Sequence, residues 1–399
     1  LSNPDLIPQV ADEQSAEGKA DNPTSASNLV SRLEGQSFAK NVTTSNEVAH
    51  LSFRLFLGLI VVEAFLIAAY FNHAYHQVLF FASATEANNY VLRSRMAAYS
   101  DTNQPYHCII GATEHPCVYE TAKYLESAGM ALSIAPVTDT GHIDTHALAD
   151  LIRPETKLIS VMMANNETGC IQPLSAIRDS ITHHGLDSEC LLHTDAVQFI
   201  GKRPVDTITY DYCVFSGHKL GGLPGCAVLM QSEAAVKAGP VWLTGGHQEF
   251  GIRSGTENML AILGLEAALD DCLPRLAMLN TQFDHLKQQL VGGIADLPVL
   301  INSTDTDLPH IINMSVPGYD ATTLVMALDQ KNIAISAGSA CSTGSLDVSH
   351  VIQAMFPTDP DRVRSAIRIS TGHTTTADDI DRFITIFKDS INTWHKPCN

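Results

Sequence analysis

Tyr212-Cys213-Val214-Phe215-Ser216-Gly217-His218-Lys219-Leu220-Gly221-Gly222 changes character in mid-course. Its apolar first half has the β-branched and aromatic residues of a buried strand, and it breaks at once into small and polar residues. Lys219 therefore stands just beyond a strand end, among neighbours small enough for a bulky aldehyde to reach its amine, as Schiff-base formation requires. A lysine on such a turn is ordinarily just solvated, so the neighbouring segments must carry the argument.

The same construction recurs upstream. Leu191-Leu192-His193-Thr194 runs into Asp195, and Lys157 to Met163 runs into Ala164-Asn165-Asn166. From about residue 78 onward short apolar runs alternate with amphipathic stretches, the pattern of alternating strands and helices. In open α/β sheets ligands bind beyond the carboxyl ends of the strands, so polar residues stacked there predict one shared site. Asp195 has two readings at this point. It caps a helix, or it lies beside a pyridinium nitrogen and keeps it protonated, with the amide of Gln198 in reach of a ring hydroxyl.

Composition bounds the alternatives. A chain of 399 residues with 45% hydrophobic content buries a large core and suggests two domains. Its 24 basic and 43 acidic residues give a net charge of -19, which repels phosphate backbones and anionic membranes, so neither nucleic acid nor membrane is an expected partner. The 9 cysteines are scattered, with no CxxC pair and no zinc-type spacing, so no metal is expected and a reducing, cytoplasmic setting fits. The stretch from Leu55 to Phe71 is apolar but contains Glu63 and is short for a bilayer span, which predicts a buried helix. The first 50 or so residues are polar, with Pro4, Pro8 and Pro23 as breakers.

A helical pattern from Thr256 to Leu290, interrupted near Pro274, leads into a second region. That region mixes strands (Ile311 to Val316, Ile333 to Ser336, Ala366 to Ser370) with helices (Ala321 to Lys331, Thr376 to Trp394).

Taken together the segments resemble the class V aminotransferase superfamily, and within it the cysteine desulfurases, over roughly residues 78 to 385. Ala84-Thr85-Glu86-Ala87-Asn88-Asn89 is similar to the phosphate-binding turn that opens a helix, with Ser83 where glycine is usual. Glu114-His115-Pro116 is similar to the segment whose histidine stacks on the cofactor ring and shuttles protons. Ala164-Asn165-Asn166-Glu167-Thr168-Gly169 is similar to the segment whose asparagine, here Asn166, lies near the ring hydroxyl and the substrate carboxylate. The resemblance also implies that Ser216 and His218 bind phosphate beside Lys219. Gly245 to Asn258 resembles the loop whose threonine, here Thr256, reaches the partner subunit's phosphate, with His247 for a usual glycine and Phe250 for a usual arginine.

Ser336-Ala337-Gly338-Ser339-Ala340-Cys341-Ser342-Thr343-Gly344-Ser345, leading to Ser349-His350-Val351, resembles the long cysteine loop of the branch that serves iron–sulfur cluster assembly and tRNA thiolation. Small residues around Cys341 suit a thiolate that travels between substrate and acceptor. Ile367-Arg368-Ile369-Ser370 matches the strand whose arginine grips the substrate α-carboxylate.

The resemblance implies an α/β fold of the pyridoxal 5'-phosphate (PLP) fold type I, with a large domain on a mixed, mostly parallel sheet and a smaller α+β C-terminal domain. The expected division is a divergent N-terminal segment (1–60), a cofactor domain (61–258), a connecting helix (259–290) and a small domain (291–399). It also implies a homodimeric transferase that binds PLP on Lys219, takes L-cysteine as substrate and hands sulfur from Cys341 to an acceptor protein. Selenocysteine lyase, another class V lyase or aminotransferase, and an inactive scaffold are the alternatives with the same constellation.

Overall fold

The computed structural model describes residues 62–71, 73–74, 77–100, 105–205, 210–237, 240–338 and 348–394. These belong to one compact unit, Leu57–Asn399. Two sheets organise the described residues. The larger has seven strands: β1 (Val78–Phe81), β2 (His107–Gly111), β3 (Ala131–Ala135), β4 (Thr156–Ser160), β5 (Leu191–Asp195), β6 (Tyr212–Ser216) and β7 (Ala227–Gln231). Their order is β1-β7-β6-β5-β4-β2-β3. Only β7 runs against its neighbours, pairing antiparallel with both β1 and β6.

Every residue of β1, β2, β4, β5, β6 and β7 is buried. Helices cover a parallel sheet on both faces, so its strands are continuous apolar runs rather than alternating ones. That is why the segment before Lys219 reads so plainly as a strand. The expected strand from Lys157 to Met163 stops at Ser160, where β2 has ended and a ladder survives on one side only. There the N–H groups of Val161 and Met163 donate to the carbonyls of His193 and Asp195 at 3.0 and 2.8 Å.

The smaller sheet is antiparallel, in the order β10-β11-β9-β8, from β8 (Leu300–Ile301), β9 (Ile311–Ser315), β10 (Ser336–Ala337) and β11 (Ala366–Ser370). Its core joins Ile312, Met314, Ile367 and Ile369 to Phe383 and Phe387 of the helix Ala377–Trp394. The expected strand over 333–336 forms a ladder only at Ser336–Ala337. The helix pair Met259–Cys272 and Leu276–Gly293 links the two sheets, with the 3-10 turn Leu273–Arg275 where Pro274 interrupts it. In the stretch read as a buried helix, residues 62–70 are helical. No helix among the described residues is long and apolar enough to cross a membrane.

The lysine turn rests on a close backbone approach. A Cβ on Gly222 would lie 2.8 Å from the Gly264 carbonyl oxygen and 3.1 Å from that of Gly217. Both obstacles are backbone, one in the Met259–Cys272 helix and one in the turn itself, so neither can yield cheaply. Gly222→Ala is expected to cost about 1–3 kcal/mol in denaturant unfolding, as overpacking does. Gly292 lies in a helix, and a Cβ added to it would meet nothing within 4 Å. Gly292→Ala should therefore be neutral or stabilise by about 0.5–1 kcal/mol.

Candidate active site

Strands β1, β4, β5 and β6 end on one edge of the large sheet, and the polar residues that follow them line a cavity of about 240 Å³. Ala84, Thr85, His115, Asn166, Asp195, Gln198, Ser216, His218, Lys219 and Arg368 all contribute to its wall. The cavity therefore brings together every expected site residue except two. Thr256 lines a separate small cavity with Ala82, Gly225 and Asn258 at the end of β1. Cys341 lies outside the described residues.

Asp195 is the last residue of β5 and is only 5% exposed. Its carboxylate accepts from Asn88 Nδ2 at 2.7 Å and from the Val197 N–H at 3.0 Å. Behind Asn88 the chain continues, with Asn88 Oδ1 3.0 Å from His193 Nε2 and His193 Nδ1 2.8 Å from Ser160 Oγ. Burial pushes the Asp195 carboxyl above its usual range, opposed by the Val197 N–H, by His115 and by the Asn88 amide. Burial also lowers His193 to about 3, so this ring is neutral and Nε2–H is the donor to Asn88. Asn88 thus has one possible orientation, amide nitrogen toward Asp195.

These two supporting residues were within reach of sequence reasoning. Asn88 lies one turn after Ala84 on the same helical face, and His193 shares a strand face with Asp195.

The helix Ala84–Ser100 begins at the cavity wall. Ser83 Oγ accepts the Glu86 N–H at 3.1 Å, and Glu86 Oε2 in turn accepts the Ala82 N–H at 2.9 Å. The exchange resembles a capping box, with Glu86 reaching the N–H of Ala82 instead of that of Ser83, and it gives the serine a role: its side chain closes the first turn. Arg253 holds Glu86 in a fork, Nε to Oε1 at 3.0 Å and Nη2 to Oε2 at 3.2 Å. The N–H groups of Ala84 and Thr85 have no acceptor within the helix and form, with the helix dipole, an anion-binding end.

His115 caps the helix Pro116–Ser127 through Nδ1, which accepts the Cys117 N–H at 3.2 Å and has the Cys117 Sγ at 3.0 Å. The ring proton is then on Nε2, and burial keeps the imidazole neutral more readily than usual. Ser216 Oγ and His218 Nδ1 are 2.7 Å apart beside Lys219, on the turn Gly217–Lys219. Arg368 reaches across from β11. Its Nη1 donates to the Asn166 carbonyl at 2.8 Å and its Nη2 to Ser336 Oγ at 3.3 Å.

The departures in 245–258 also acquire a structural setting. Glu249 and Phe250 both have left-handed backbones, φ 49° and 55°, which costs about 1–3 kcal/mol per residue elsewhere. The turn delivers Glu249 Oε2 to the Phe80 N–H at 2.8 Å, on the edge of β1 that no strand among the described residues covers.

The cavity's chemistry fits PLP. It offers a helix N-terminus with Ser216 and His218 for a phosphate, a buried acceptor at Asp195 for a ring N–H, and a primary amine at Lys219. A buried carboxylate facing a neutral histidine is short of positive charge, and a protonated ring nitrogen supplies it.

Comparison with known proteins agrees. The aminotransferase class-V family model matches residues 28–383. The putative cysteine desulfurase IscS 1 of Bacillus subtilis is 34% identical over 319 residues, covering 79% of this chain and 82% of that protein. The mitochondrial cysteine desulfurase of Arabidopsis thaliana is also 34% identical, over 77% of this chain and 67% of its own length. Among solved structures, the NifS-like protein from Rickettsia africae superposes with a TM-score of 0.73 at 27% identity, over 91% of this chain and 94% of that one.

Removing the Asn88 amide should strand both His193 Nε2 and the Asp195 carboxylate. Asn88→Ala is expected to lose about 1–3 kcal/mol for each stranded buried group in chemical denaturation. Asn88→Asp, which sets a second carboxylate against Asp195, should lose more. Unchanged stability in Asn88→Ala would show that the network does not hold Asp195.

Proposed function

Because the chain belongs to the class-V aminotransferase family, with cysteine desulfurases as relatives at 34% identity, we propose that it is a PLP-dependent cysteine desulfurase. It converts L-cysteine to L-alanine and passes sulfur, held as a persulfide on Cys341, to an acceptor protein. The observation that carries this reading is that Asp195, His115, Lys219 and Arg368 line one cavity. The expected division follows the same reading: a divergent N-terminal segment over 1–60, a cofactor domain over 61–258, a connecting helix over 259–290, broken into two at Pro274, and a small domain over 291–399.

When bound, PLP supplies a sink for the electrons of the substrate Cα–H bond. Asp195 would hold a proton at the ring nitrogen, and Asn88 and the Val197 N–H fix its carboxylate. The N–H groups of Ala84 and Thr85, with Ser216 and His218, would hold the phosphate. Gln198 and Asn166 line the same cavity and would bind the ring hydroxyl. Lys219 Nζ would hold the cofactor, and its amine, when free, would take and return the substrate Cα proton.

Arg368 binds the substrate α-carboxylate together with Asn166, whose carbonyl already orients the guanidinium. Its position on β11 means that the small sheet delivers the carboxylate-binding group to the large-sheet site. His115 Nε2, bearing the ring proton, would be the proton donor in the sulfur transfer. The Cys341 thiolate attacks the substrate sulfur, the C–S bond breaks, the sulfur stays on Cys341 and alanine leaves after protonation at carbon.

In a homodimer, Thr256 reaches the phosphate of the partner subunit; its distance from its own chain's cavity supports that arrangement. The acceptor belongs to iron–sulfur cluster assembly or tRNA thiolation, as the long cysteine loop suggests. The described cysteines are free thiols, which supports a reducing compartment, and we assign the cytoplasm.

Alanine and sulfide released from L-cysteine under reductant test the proposal. Lys219→Ala should reduce alanine formation at least about a hundredfold. Arg368→Ala should chiefly raise KM. Cys341→Ser should abolish sulfide release, and full sulfide release from that variant would contradict the persulfide step. Alanine formed from selenocysteine but not from cysteine would identify a lyase instead.

A further inference from the structure

Outside the cavity just described, three side chains from separate parts of the chain converge on one point. His142, Cys170 and Asp307 bring a ring nitrogen, a sulfur and a carboxylate oxygen within 4.8 Å of one another. Cys170 and Asp307 are fully buried, and His142 closes the cluster toward solvent as a half-buried residue. No local spacing links positions 142, 170 and 307, so the scattered cysteines gave no hint of it.

Each ligand is held by its own backbone turn. His142 ends the tight turn that begins at Thr138, with the Thr138 N–H donating to the His142 carbonyl at 2.8 Å. Cys170 closes the turn that begins at Asn165, whose N–H donates to the Cys170 carbonyl at 2.9 Å. Gln172 ties the two turns together, donating to the Gly141 carbonyl and accepting the Ile143 N–H, both at 2.8 Å. Asp307 belongs to a third turn, joined to the second by the Leu308 N–H bond to the Gly169 carbonyl at 2.9 Å.

The donor atoms are also chemically prepared. Thr140 Oγ1 lies 2.9 Å from His142 Nδ1, which leaves Nε2 as the nitrogen with the available lone pair once Nδ1–H donates to the hydroxyl. Asp307 Oδ2 accepts the Thr304 N–H at 2.5 Å. Its other oxygen, Oδ1, is buried and has no hydrogen-bond partner among the described residues. A fully buried acceptor of this kind calls for a positive partner. Besides His142, the basic group that acts on Asp307 is Lys287, but its ammonium donates to the Thr304 carbonyl at 2.5 Å.

We infer that His142 Nε2, Cys170 Sγ and Asp307 Oδ1 form a binding site for a divalent cation of the zinc class, with water as the fourth ligand. One nitrogen, one thiolate and one carboxylate suit zinc, and oxygen-seeking ions such as magnesium or calcium would not select sulfur. A tetrahedral ion needs its ligands about 3.5 Å apart, so small side-chain rotations complete the site. Binding releases the thiol proton of Cys170 to solvent and leaves the cation's charge shared with two anionic ligands.

The site has a structural consequence for the cavity. Cys170 terminates the same turn that presents Asn166 and Glu167, and Asp307 lies just before β9 of the small sheet. A bound ion cross-links the large-sheet turn to the small-sheet segment, beside the Arg368 contact to the Asn166 carbonyl. It is a clamp on the turn, and it has no part in the reacting bonds.

The test uses the holoenzyme, stripped with a chelator, free of cysteine and kept reduced with a phosphine. Zn²⁺ alone is titrated against a chromophoric chelator, and Co²⁺ alone is titrated for its near-ultraviolet thiolate band. The parent should bind one Zn²⁺ per chain tightly, show the cobalt–thiolate band and gain thermal stability with one equivalent of Zn²⁺. Cys170→Ser should lose the band. His142→Ala, a change at a half-buried position, should keep the fold and weaken Zn²⁺ at least about a hundredfold, beyond what loss of an outer partner costs. A parent that binds no Zn²⁺, or a band and affinity unchanged in both variants, would overturn the site.

Discussion

A single buried carboxylate governs this structure. Asp195 is held at the end of β5, in surroundings that raise its pKa, by one amide and one backbone N–H. Keeping a carboxylate there requires neighbours whose own partners are fixed, and the requirement propagates outward. Asn88 must point its nitrogen at Asp195, so its oxygen must meet a donor, and the neutral His193 is that donor. The helix Ala84–Ser100 must then start beside β5, which brings its N-terminal N–H groups to the same cavity. One electrostatic arrangement thus brings both the buried carboxylate and the helix N-terminus to the same cavity.

The second constraint is the meeting of two sheets. Arg368 lies on β11, paired with Asn313 on β9 and Ser336 on β10. Asn313 Nδ2 donates to the Glu167 carbonyl at 3.2 Å, and Arg368 to the Asn166 carbonyl at 2.8 Å, so both grip the turn that follows β4. Ser349 Oγ adds a bond to Glu167 Oε2 at 2.5 Å and caps the helix His350–Met355. The residues that flank 339–347 are therefore anchored to the turn that carries Asn166. Arg368 and the segments on either side of 339–347 thus share one mechanical base.

Much of this was legible from the chain. Lys219, Asp195 and Asn166 follow apolar runs because a doubly covered sheet makes its strands uniformly apolar and places chemistry just past their ends. The connection between sheets was legible from helical periodicity and Pro274. What the sequence concealed was of another kind. The strand over 157–163 is shorter because pairing depends on where its neighbour stops. Ser83, a departure from the family pattern, became a helix cap only when Glu86 and Arg253 were seen around it. The grouping of His142, Cys170 and Asp307 depends on three turns meeting in space, which no linear spacing encodes.

The central claim is that Lys219 carries PLP in the cavity built around Asp195. Borohydride reduction of the protein as isolated with PLP, followed by peptide mapping by mass spectrometry, tests it directly. The account predicts loss of the visible absorption and a phosphopyridoxyl group on the peptide containing Lys219. A colourless protein that takes up no added PLP, or a label on any other lysine, would contradict it.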